Sequence, residues 1–509
     1  MTFQLGFIDL VVLLVYLATA IFIGVVVRGK SKDIESYLLG DRNLPWWAIL
    51  GSIVATETST ATVLSVPGEA SGIPGQTAGS GFLFLQLALG YIIGRTIIVC
   101  VLLPLYFRGK LFTAYQVLDQ RFGQMTRQAA SLLFLVTRNL GDGLRLFLAA
   151  IVLQELAGLP FVWSVVAMGA VTIVYTFLGG MRSVVWNDCI QLVIYMLGGI
   201  AAVFIIAASI DGGWQELFRY AREHDKFRMF DLRLLISEPY TLWAGLIGGA
   251  VLTIGTHGTD HMMVQRYLSA RSQTDAGRAV LASGLVVFVQ FALFLFIGIE
   301  LSAYYAQHPE FEFAKADKVF AHFIGHAFPQ GTGLVGLMLA AILASAMSTL
   351  SSSLNSSASA LVNDFYVPWR RKPATPEHLF FVTRGLTVVF GVLQTLIGIW
   401  ALGLGETVVK NALTIAGFSA GLLLGVFALG VLTRRAGQTA ALVGGAVGLG
   451  VLSFVQFGVP WLIEQQYLAA DFKVAFPWLA LIGASATFLA GWIVSWFVPD
   501  RSREEGVTP

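Results

Sequence analysis

Long apolar runs alternate with short polar segments along the whole chain. Runs of about 20 residues or more can cross a lipid bilayer as helices. Thirteen such runs start near Phe7, Leu44, Phe82, Ala129, Phe161, Val184, Thr241, Val280, Gly333, Leu379, Thr407, Ala440 and Phe476. We therefore predict an all-α polytopic membrane protein with about 13 transmembrane helices. The first run, at residues 7–27, is expected to be an uncleaved leading helix, because no basic residue precedes it.

Composition agrees with a membrane protein and excludes other classes. Of 509 residues, 56% are hydrophobic and 12% are charged, about half the charged fraction of a soluble domain. The 32 Lys and Arg residues nearly balance the 30 Asp and Glu residues, which excludes a nucleic-acid-binding surface. Cys100 and Cys189 are too few for a disulfide framework. We expect one polytopic membrane domain over residues 1–509, and neither a soluble enzyme nor a disordered chain.

Basic residues are distributed unequally between the alternating loops. One set of loops, together with the C-terminal tail, contains 19 Lys and Arg residues, whereas the opposite set contains nine, concentrated between residues 211 and 240. Because basic loops stay in the cytoplasm, we predict an outside N-terminus and a cytoplasmic tail at residues 499–509. The outside segment 304–330 is expected to pack as a short amphipathic lid. The short tails favour a bacterial inner membrane as the location.

The second apolar run has a polar centre. Residues 56–60 place hydroxyl groups around Glu57, and the helix-breaking pair Pro67-Gly68 follows. An unwound centre would release backbone carbonyls as cation ligands, as in secondary transporters with broken helices. The alternative is a straight helix whose hydroxyls bond back to the preceding turn, and this alternative leaves Glu57 unexplained.

Residues 339–366 form a span that is rich in small hydroxyl side chains. They recur at steps of three and four residues, which places them on one helix face. They are Ser345, Ser348, Thr349, Ser352, Ser356 and Ser359. Close helix packing would explain small residues, but Ala or Gly would serve that purpose equally well. Because hydroxyl oxygens are hard ligands, we favour coordination of a cation.

Two further spans contain ionisable residues near their ends or centres. Asp188 either caps a helix or supplies negative charge to a cation leaving toward the cytoplasm. Gly255 and Gly258 weaken a later span near mid-membrane, as expected for a second broken helix. His257 and His261 are spaced like metal ligands, but without a third ligand a hydrogen-bonding role near the solute or inner gate is favoured.

The fourth run contains Arg138, Asp142 and Arg145 on one helix face. Asp142 can pair with either arginine, so one positive charge is expected to stay uncompensated. The three residues form either a structural salt-bridge triad or a site where an arginine meets an anionic group of the solute. We interpret Arg95, on the third run, as a residue that snorkels to the membrane surface.

Four separated motifs resemble the sodium:solute symporter family. They are Leu44–Ala48 leading into Ala55–Ser59, Gly179–Arg182 through Trp186–Gln191, Val264–Leu268, and Met347–Ser356 with Asn363–Tyr366. The family includes bacterial sugar, proline and sialic acid transporters and mammalian sodium-coupled transporters. The resemblance implies a LeuT-type fold of five plus five helices. Residues 44–210 would be the first repeat, 241–432 its inverted copy and 436–498 two trailing helices.

The resemblance also implies where sodium binds. The family's main sodium site maps to the carbonyls of Ala55, Thr58 and Ser345 and the hydroxyls of Ser348 and Thr349. A second site, known from the sialic acid transporters, maps to a partly overlapping set. That set is Asp188, Ser348, Ser351 and Ser352. Two sodium ions per cycle are therefore implied.

The resemblance is weaker for the solute. We expect its pocket beside the sodium site, lined by Ser59, Thr62, Phe82, Gln86, Thr253, Thr256 and His257. The carboxylate-binding arginine of the sialic acid transporters maps to Gly141, but Arg138 and Arg145 lie within one helical turn of it. A carboxylate, an amino acid, a sugar acid and a sugar all remain open as the solute.

We predict a sodium-coupled secondary active symporter that imports a small polar or anionic organic solute by alternating access. Sodium would be a co-transported ion, and no cofactor, nucleic acid or obligatory protein partner is expected. The first alternative is a proton-coupled symporter that uses Glu57. A membrane-embedded enzyme is disfavoured, since neither a phosphate-binding loop nor a complete metal motif occurs. A sensor would need an attached signalling domain, and the chain ends ten residues after Pro499.

Overall fold

The computed structural model describes residues 5–27, 33–73, 75–313, 315–403, 405–469 and 472–498, and this part is nearly all helical. We number its longer helices. They are α1 (Phe7–Val26), α2 (Trp46–Glu57), α3 (Thr60–Ser71), α4 (Gly81–Tyr106), α5 (Gln124–Ala157), α6 (Phe161–Ser209), α7 (Gly213–Glu223), α8 (244–259), α9 (His261–Leu268), α10 (Gln273–Ala306), α11 (Asp317–His326), α12 (Leu334–Trp369), α13 (Pro376–Trp400), α14 (Gly405–Leu432), α15 (Gln438–Glu464) and α16 (Phe476–Phe497). Short helical turns such as Ile34–Leu39 and Gln116–Phe122 are not numbered.

Within the described residues, eight helices are long and apolar enough to cross a membrane, or nine if α2 and α3 form one broken span. The sequence predicts about 13, and the two numbers differ for identifiable reasons. Helix α6 contains two of the expected runs, α5 carries charged residues in its centre, and α8 and α9 are separated by a break. In α14, the apolar segment Phe418–Leu432 has fewer than 18 residues and is not counted among the spans. The multi-span membrane architecture is confirmed, and the number 13 stays a prediction.

A glycine divides α6 into two helical segments. Gly180 has φ 55° and ψ −145°, a conformation that side chains with a Cβ rarely adopt. A Cβ at this position would also lie 2.4 Å from the Tyr37 carbonyl oxygen. Residues 161–179 and 181–209 therefore run in opposite directions across the molecule, which allows Asp188 to lie beside α2.

The helices end at two faces. The long-loop face contains residues 210–243 and 307–333, which meet where the Asp211 amide donates to Gln307 Oε1 at 2.9 Å. The short-loop face is opposite, where Leu44 bridges to Ala270. Helix α11 lies in the long-loop face and buries its apolar residues, among them Phe320 and Phe323. Part of the predicted segment 304–330 is therefore helical and packed, and its role as a lid stays a prediction.

Helix α12 lies at the centre of the molecule. Of its apolar window, 89% is buried, whereas the corresponding value for α1 is 28%. It packs against α1, α5, α6 and α13, so its small side chains face other helices rather than lipid. This position puts the serine-rich part of α12 next to the break between α2 and α3.

Candidate ion and solute site

The helix break predicted around Glu57 is present. Helix α2 ends at Glu57, α3 begins at Thr60, and the two axes differ by 61°. Thr58 and Ser59 are extended, and the Ser59 amide donates to Thr62 Oγ1 at 3.3 Å. The Ala55 carbonyl therefore loses the amide partner that a continuous helix would provide. The straight-helix alternative is wrong.

The serine-rich part of α12 contacts this break. Thr349 Oγ1 donates to the Thr56 carbonyl at 3.2 Å and to the Ser345 carbonyl at 3.4 Å. The Thr58 hydroxyl has other partners: it donates to Val54 O at 2.8 Å. The five residues predicted for the main sodium site are all buried in this region. They are Ala55, Thr58, Ser345, Ser348 and Thr349.

Asp188 lies in the same buried region and bonds to α2 and α12. Its carboxylate accepts hydrogen bonds from Ser52 Oγ at 2.5 Å, Thr56 Oγ1 at 3.3 Å and Ser348 Oγ at 2.6 Å. Asp188 is 0% exposed and lies inside α6, well after Gly180. The helix-capping alternative is therefore wrong, and the carboxylate joins three helices.

Arg266 of α9 is the counter-charge of Asp188. Its Nη2 lies 3.1 Å from Asp188 Oδ2, and it also donates to the hydroxyls of Thr56 and Ser352. Its Nε donates to Ser52 Oγ at 2.8 Å. Arg266 is 1% exposed. Sequence reasoning missed this role, because it counted Arg266 among the loop residues. The available signal was that a buried Asp188 needs a partner of opposite charge.

Part of the predicted second sodium set thus surrounds a guanidinium. Asp188, Ser348 and Ser352 lie together with Arg266. The Ser351 hydroxyl instead donates to the Ser348 carbonyl at 3.1 Å. A sodium ion placed here would share Asp188 with Arg266.

A second acid–arginine pair lies next to the break. Arg95 Nη2 donates to Glu57, and His257 Nε2 lies 3.3 Å from Glu57 Oε2. The Arg95 side chain is 0% exposed and that of Glu57 is 13% exposed. The Nε and Nη1 atoms of Arg95 have no hydrogen-bond partner in the described part of the chain. Arg95 does not snorkel to the surface, so that interpretation is wrong.

A fourth charged residue, Asp260 from outside α5, joins the three charged residues of this helix. Arg138 Nη2 pairs with Asp260, whereas Arg145 Nη1 lies 2.7 Å from Asp142. Asp260 is extended at the break between α8 and α9, and it caps α9 by accepting from the Met262 amide at 2.8 Å. The expected uncompensated positive charge is therefore absent, because Asp260 balances Arg138.

The predicted solute residues divide between two places. Ser59 and Thr62 lie at the break. His257 contacts Glu57 there, and its Nδ1 lies 3.0 Å from Thr256 Oγ1. Three others lie away from these contacts. The Gln86 amide donates to Tyr240 O at 2.9 Å, the Phe82 ring lies 5.7 Å from that of Phe227, and Thr253 packs against Gly94. Phe82 and Gln86 thus attach α4 to the long loop.

The two histidines that were considered as metal ligands point to different partners. His257 contacts Glu57, whereas His261 Nδ1 accepts the Ala114 amide at 3.3 Å. Among the residues that the structure describes, no three His, Cys, Asp or Glu side chains form a metal-type group. The hydrogen-bonding interpretation of both residues agrees with these contacts.

A buried set of hydroxyls and carbonyls at a helix break, inside a multi-span helical protein, defines a secondary transporter. The sequence model of the sodium:solute symporter family matches residues 37–448. The chain belongs to the sodium:solute symporter family. It is therefore a sodium-coupled transporter and not an enzyme.

Individual relatives agree with this assignment. The sodium/sialic acid symporter SiaT of Proteus mirabilis (strain HI4320) is 28% identical over 457 residues, which cover 89% of this chain and 90% of the relative. The human sodium/iodide cotransporter is 27% identical over 449 residues, covering 88% and 68%. A substrate-bound, outward-open structure of a Na+-coupled sialic acid symporter superposes with a TM-score of 0.85 at 27% identity, covering 97% of this chain and 99% of that one. The LeuT-like fold is thereby confirmed.

Proposed function

We propose that the chain imports a small polar or anionic organic solute together with sodium, by alternating access. The observation that carries the proposal is the contact between the break at Thr58 and the serine-rich part of α12. Released carbonyls and buried hydroxyls meet there, and Thr349 Oγ1 lies 3.2 Å from the Thr56 carbonyl. Such oxygen groups suit a sodium ion better than a transition metal.

The finer architecture belongs to the proposal. The chain would cross the membrane 13 times, with residues 44–210 and 241–432 as inverted repeats and 436–498 as trailing helices. In support, each repeat begins with a broken helix, α2–α3 and α8–α9, and the two run in opposite directions between the faces. The long-loop face would be extracellular and the C-terminus cytoplasmic, in a bacterial inner membrane, since basic loops stay inside.

In the proposed main site, sodium takes the carbonyls of Ala55, Thr58 and Ser345 and the hydroxyls of Ser348 and Thr349. Binding there would join α2 to α12 and fix the geometry of the adjacent solute pocket. Sodium and solute would then each raise the other's affinity by the same factor. The membrane potential contributes about 2.3 kcal/mol per charge per 100 mV to inward movement.

The second sodium, at Asp188, Ser348, Ser351 and Ser352, stays a prediction. Asp188 already pairs with Arg266, so this ion would bind beside the guanidinium or displace it. A Hill coefficient near two for sodium-dependent uptake, falling to one in Ser352→Ala, would support it. A coefficient of one in the unaltered protein would reject it.

The relatives indicate that the class of solute is wide, since their names specify sialic acid and iodide. Of the two arginines considered for the solute, Arg138 pairs with Asp260 and its side chain is 15% exposed, whereas Arg145 pairs with Asp142 and its side chain is 28% exposed. Arg145 is therefore the better candidate for an anionic group. The choice among carboxylate, amino acid, sugar acid and sugar stays open.

Proton coupling through Glu57 is not favoured. The family assignment supports sodium, and Glu57 pairs with both Arg95 and His257. Protonation of this carboxylate in every cycle would leave the Arg95 guanidinium buried without its counter-charge, which is costly.

The experiment has two stages. Thermal unfolding of the detergent-purified protein against panels of carboxylates, amino acids, sugar acids and sugars, in sodium and in potassium, first identifies a solute. Uptake into proteoliposomes then measures the sodium concentration for half-maximal rate. We expect Ser348→Ala and Thr349→Ala to raise it by about tenfold each, because each removes one ligand oxygen.

Ser356→Ala is the matched control for this measurement. Ser356 is equally buried on α12, but its hydroxyl donates to the Ser353 carbonyl at 3.2 Å, two turns from the site. Its sodium dependence should match that of the unaltered protein. Unchanged sodium dependence in Ser348→Ala and Thr349→Ala would reject the ion site, and uptake that persists in potassium and follows pH would favour the proton alternative.

A further inference from the structure

A cavity of about 560 Å³ opens at the long-loop face, and none of the predicted sodium or solute residues is in its described wall. Its walls are the end of α3, the loop at residues 75–78, helix α7 and the end of α10. The size lies within the range of pockets that bind small organic molecules. The cavity therefore has room for a ligand of its own.

Lys226 places a positive charge in the wall of this cavity. The residue is 4% exposed. Its Nζ donates to the carbonyls of Ala70 and Ser71 at 3.4 and 3.2 Å, and to that of Ala78. No carboxylate of the described chain lies within ion-pair distance of it, and burial lowers the pKa of Lys226 to about 8. Near pH 7 the ammonium is thus charged and has only neutral ligands.

The remaining wall is aromatic and hydroxylic. The Tyr220 hydroxyl lies 3.0 Å from Ser302 Oγ, and the His224 ring stacks on Tyr220 with centroids 4.0 Å apart. Tyr305 and Phe311 add two further rings. No Asp or Glu is among the described wall residues. The wall therefore offers flat apolar surface beside a single fixed cation.

A neighbouring cavity of about 430 Å³ on the same face has the opposite character. Its wall contains Glu69, Asp231 and Glu238 against Arg233 and Lys473. The excess of carboxylates there would repel an anion. Two adjacent cavities therefore differ in the sign of their charge, and only the larger one favours a negative ligand.

We propose that the larger cavity is a second binding site, for a small carboxylate with a planar or apolar body. The carboxylate would replace one of the three backbone carbonyls that accept from the Lys226 ammonium, and its body would pack on the Tyr220 and Tyr305 rings. This site goes beyond the proposed function, because it needs neither sodium nor the pocket at the helix break. Its occupant would touch the end of α3, the half of the broken helix nearest the long-loop face.

The test uses benzoate as probe and the full-length protein in detergent, in potassium buffer at pH 7. Potassium leaves the proposed sodium-coupled pocket unassembled, so equilibrium dialysis with labelled benzoate reports on the second site. We expect about one benzoate per chain. Lys226→Met, which removes the charge, should weaken binding by about tenfold, as expected for a lost charge-assisted contact. Benzamide, the uncharged analogue, should bind the unaltered protein as weakly as benzoate binds Lys226→Met.

Two variants separate this effect from misfolding. Gln76→Glu adds one negative charge at an exposed wall position without changing side-chain shape, and it should also weaken benzoate binding. Lys473→Met removes the same charge from the neighbouring cavity and should leave binding unchanged. Equal binding to the unaltered protein, Lys226→Met and Gln76→Glu, or equal binding of benzamide, would overturn the proposal. Absence of sodium-dependent solute uptake by the unaltered protein, measured separately in proteoliposomes, would instead contradict the proposed function.

Discussion

Two buried acid–arginine pairs lie beside the helix breaks, and they differ in how far their hydrogen bonds are satisfied. In the first, each nitrogen of the Arg266 guanidinium has a partner: Asp188, the Met262 carbonyl at 2.7 Å and hydroxyl groups. In the second, Arg95 pairs with Glu57 through one nitrogen only, and its Nε and Nη1 have no partner in the described part of the chain. The two guanidinium groups are buried to a similar extent, but only that of Arg266 has a hydrogen-bond partner for every nitrogen.

The difference indicates different roles. A fully satisfied buried network is rigid and fixes one arrangement of the helices that contribute to it, here α2, α6, α9 and α12. Unpaired buried donors cost free energy unless a ligand completes them. The Asp188–Arg266 pair therefore suits a structural and ion-linked role, whereas Arg95 retains donors that a solute can use.

Removal of Arg266 should have the largest effect on this comparison. Arg266→Leu leaves Asp188 buried without a counter-charge, which costs about 3–5 kcal/mol of stability. We expect a large fall in the thermal midpoint of the detergent-purified protein. The double variant Asp188→Asn with Arg266→Leu removes both charges and should recover most of that loss.

Arg219→Leu provides the control for this measurement. Its guanidinium pairs with Glu216 at 2.6 Å, but its side chain is 64% exposed, and such surface pairs contribute little. Its midpoint should stay close to that of the unaltered protein. A double variant as unstable as Arg266→Leu would show that the loss comes from packing rather than from an unpaired charge.

Substitution of Arg95 should have a smaller effect on stability and a distinct effect on transport. In Arg95→Gln, the partly exposed Glu57 keeps His257 and solvent as partners, so we expect a loss of about 1–3 kcal/mol. If the unpaired donors of Arg95 bind the solute, Arg95→Gln should raise the solute concentration for half-maximal uptake. The sodium concentration for half-maximal uptake should stay constant. A thermal midpoint as low as that of Arg266→Leu, with unchanged solute dependence, would contradict the comparison.

Local features of the sequence predicted the helix break. The polar centre of the second run was the signal, because it lies within one apolar run, whereas the cation site on the hydroxyl-rich face of α12 stays a prediction. The pairs Arg138–Asp260 and Arg266–Asp188 were missed, since their partners are 122 and 78 residues apart. Helical periodicity assigns a residue to a face, but it does not specify which helix that face meets.

A partly exposed histidine pair is compared with the two buried acid–arginine pairs because, among the described residues, it has no partner of opposite charge. We expect its effect on stability to be the smallest of those considered. In α11, the His322 and His326 rings stack with centroids 3.9 Å apart, and His322 Nδ1 lies 2.8 Å from the Tyr305 hydroxyl. Burial, and then the neighbouring His326, lower the pKa of His322 from 6.5 to about 4. The folded protein therefore binds fewer protons than the unfolded chain between these two values.

Stability should thus fall as the pH decreases through the window from 6.5 to about 4, and this contribution is fully present above it. We expect the thermal midpoint of the unaltered protein to fall more steeply across the window than that of His322→Gln, whose amide can still bond to Tyr305. His378→Gln, at an exposed position on the short-loop face, controls for general acid effects. If the thermal midpoints of the unaltered protein and of His322→Gln fall in parallel with pH, the stacked histidines do not contribute to the pH dependence of stability. Among the groups compared, only the acid–arginine pairs at the breaks would then contribute electrostatically.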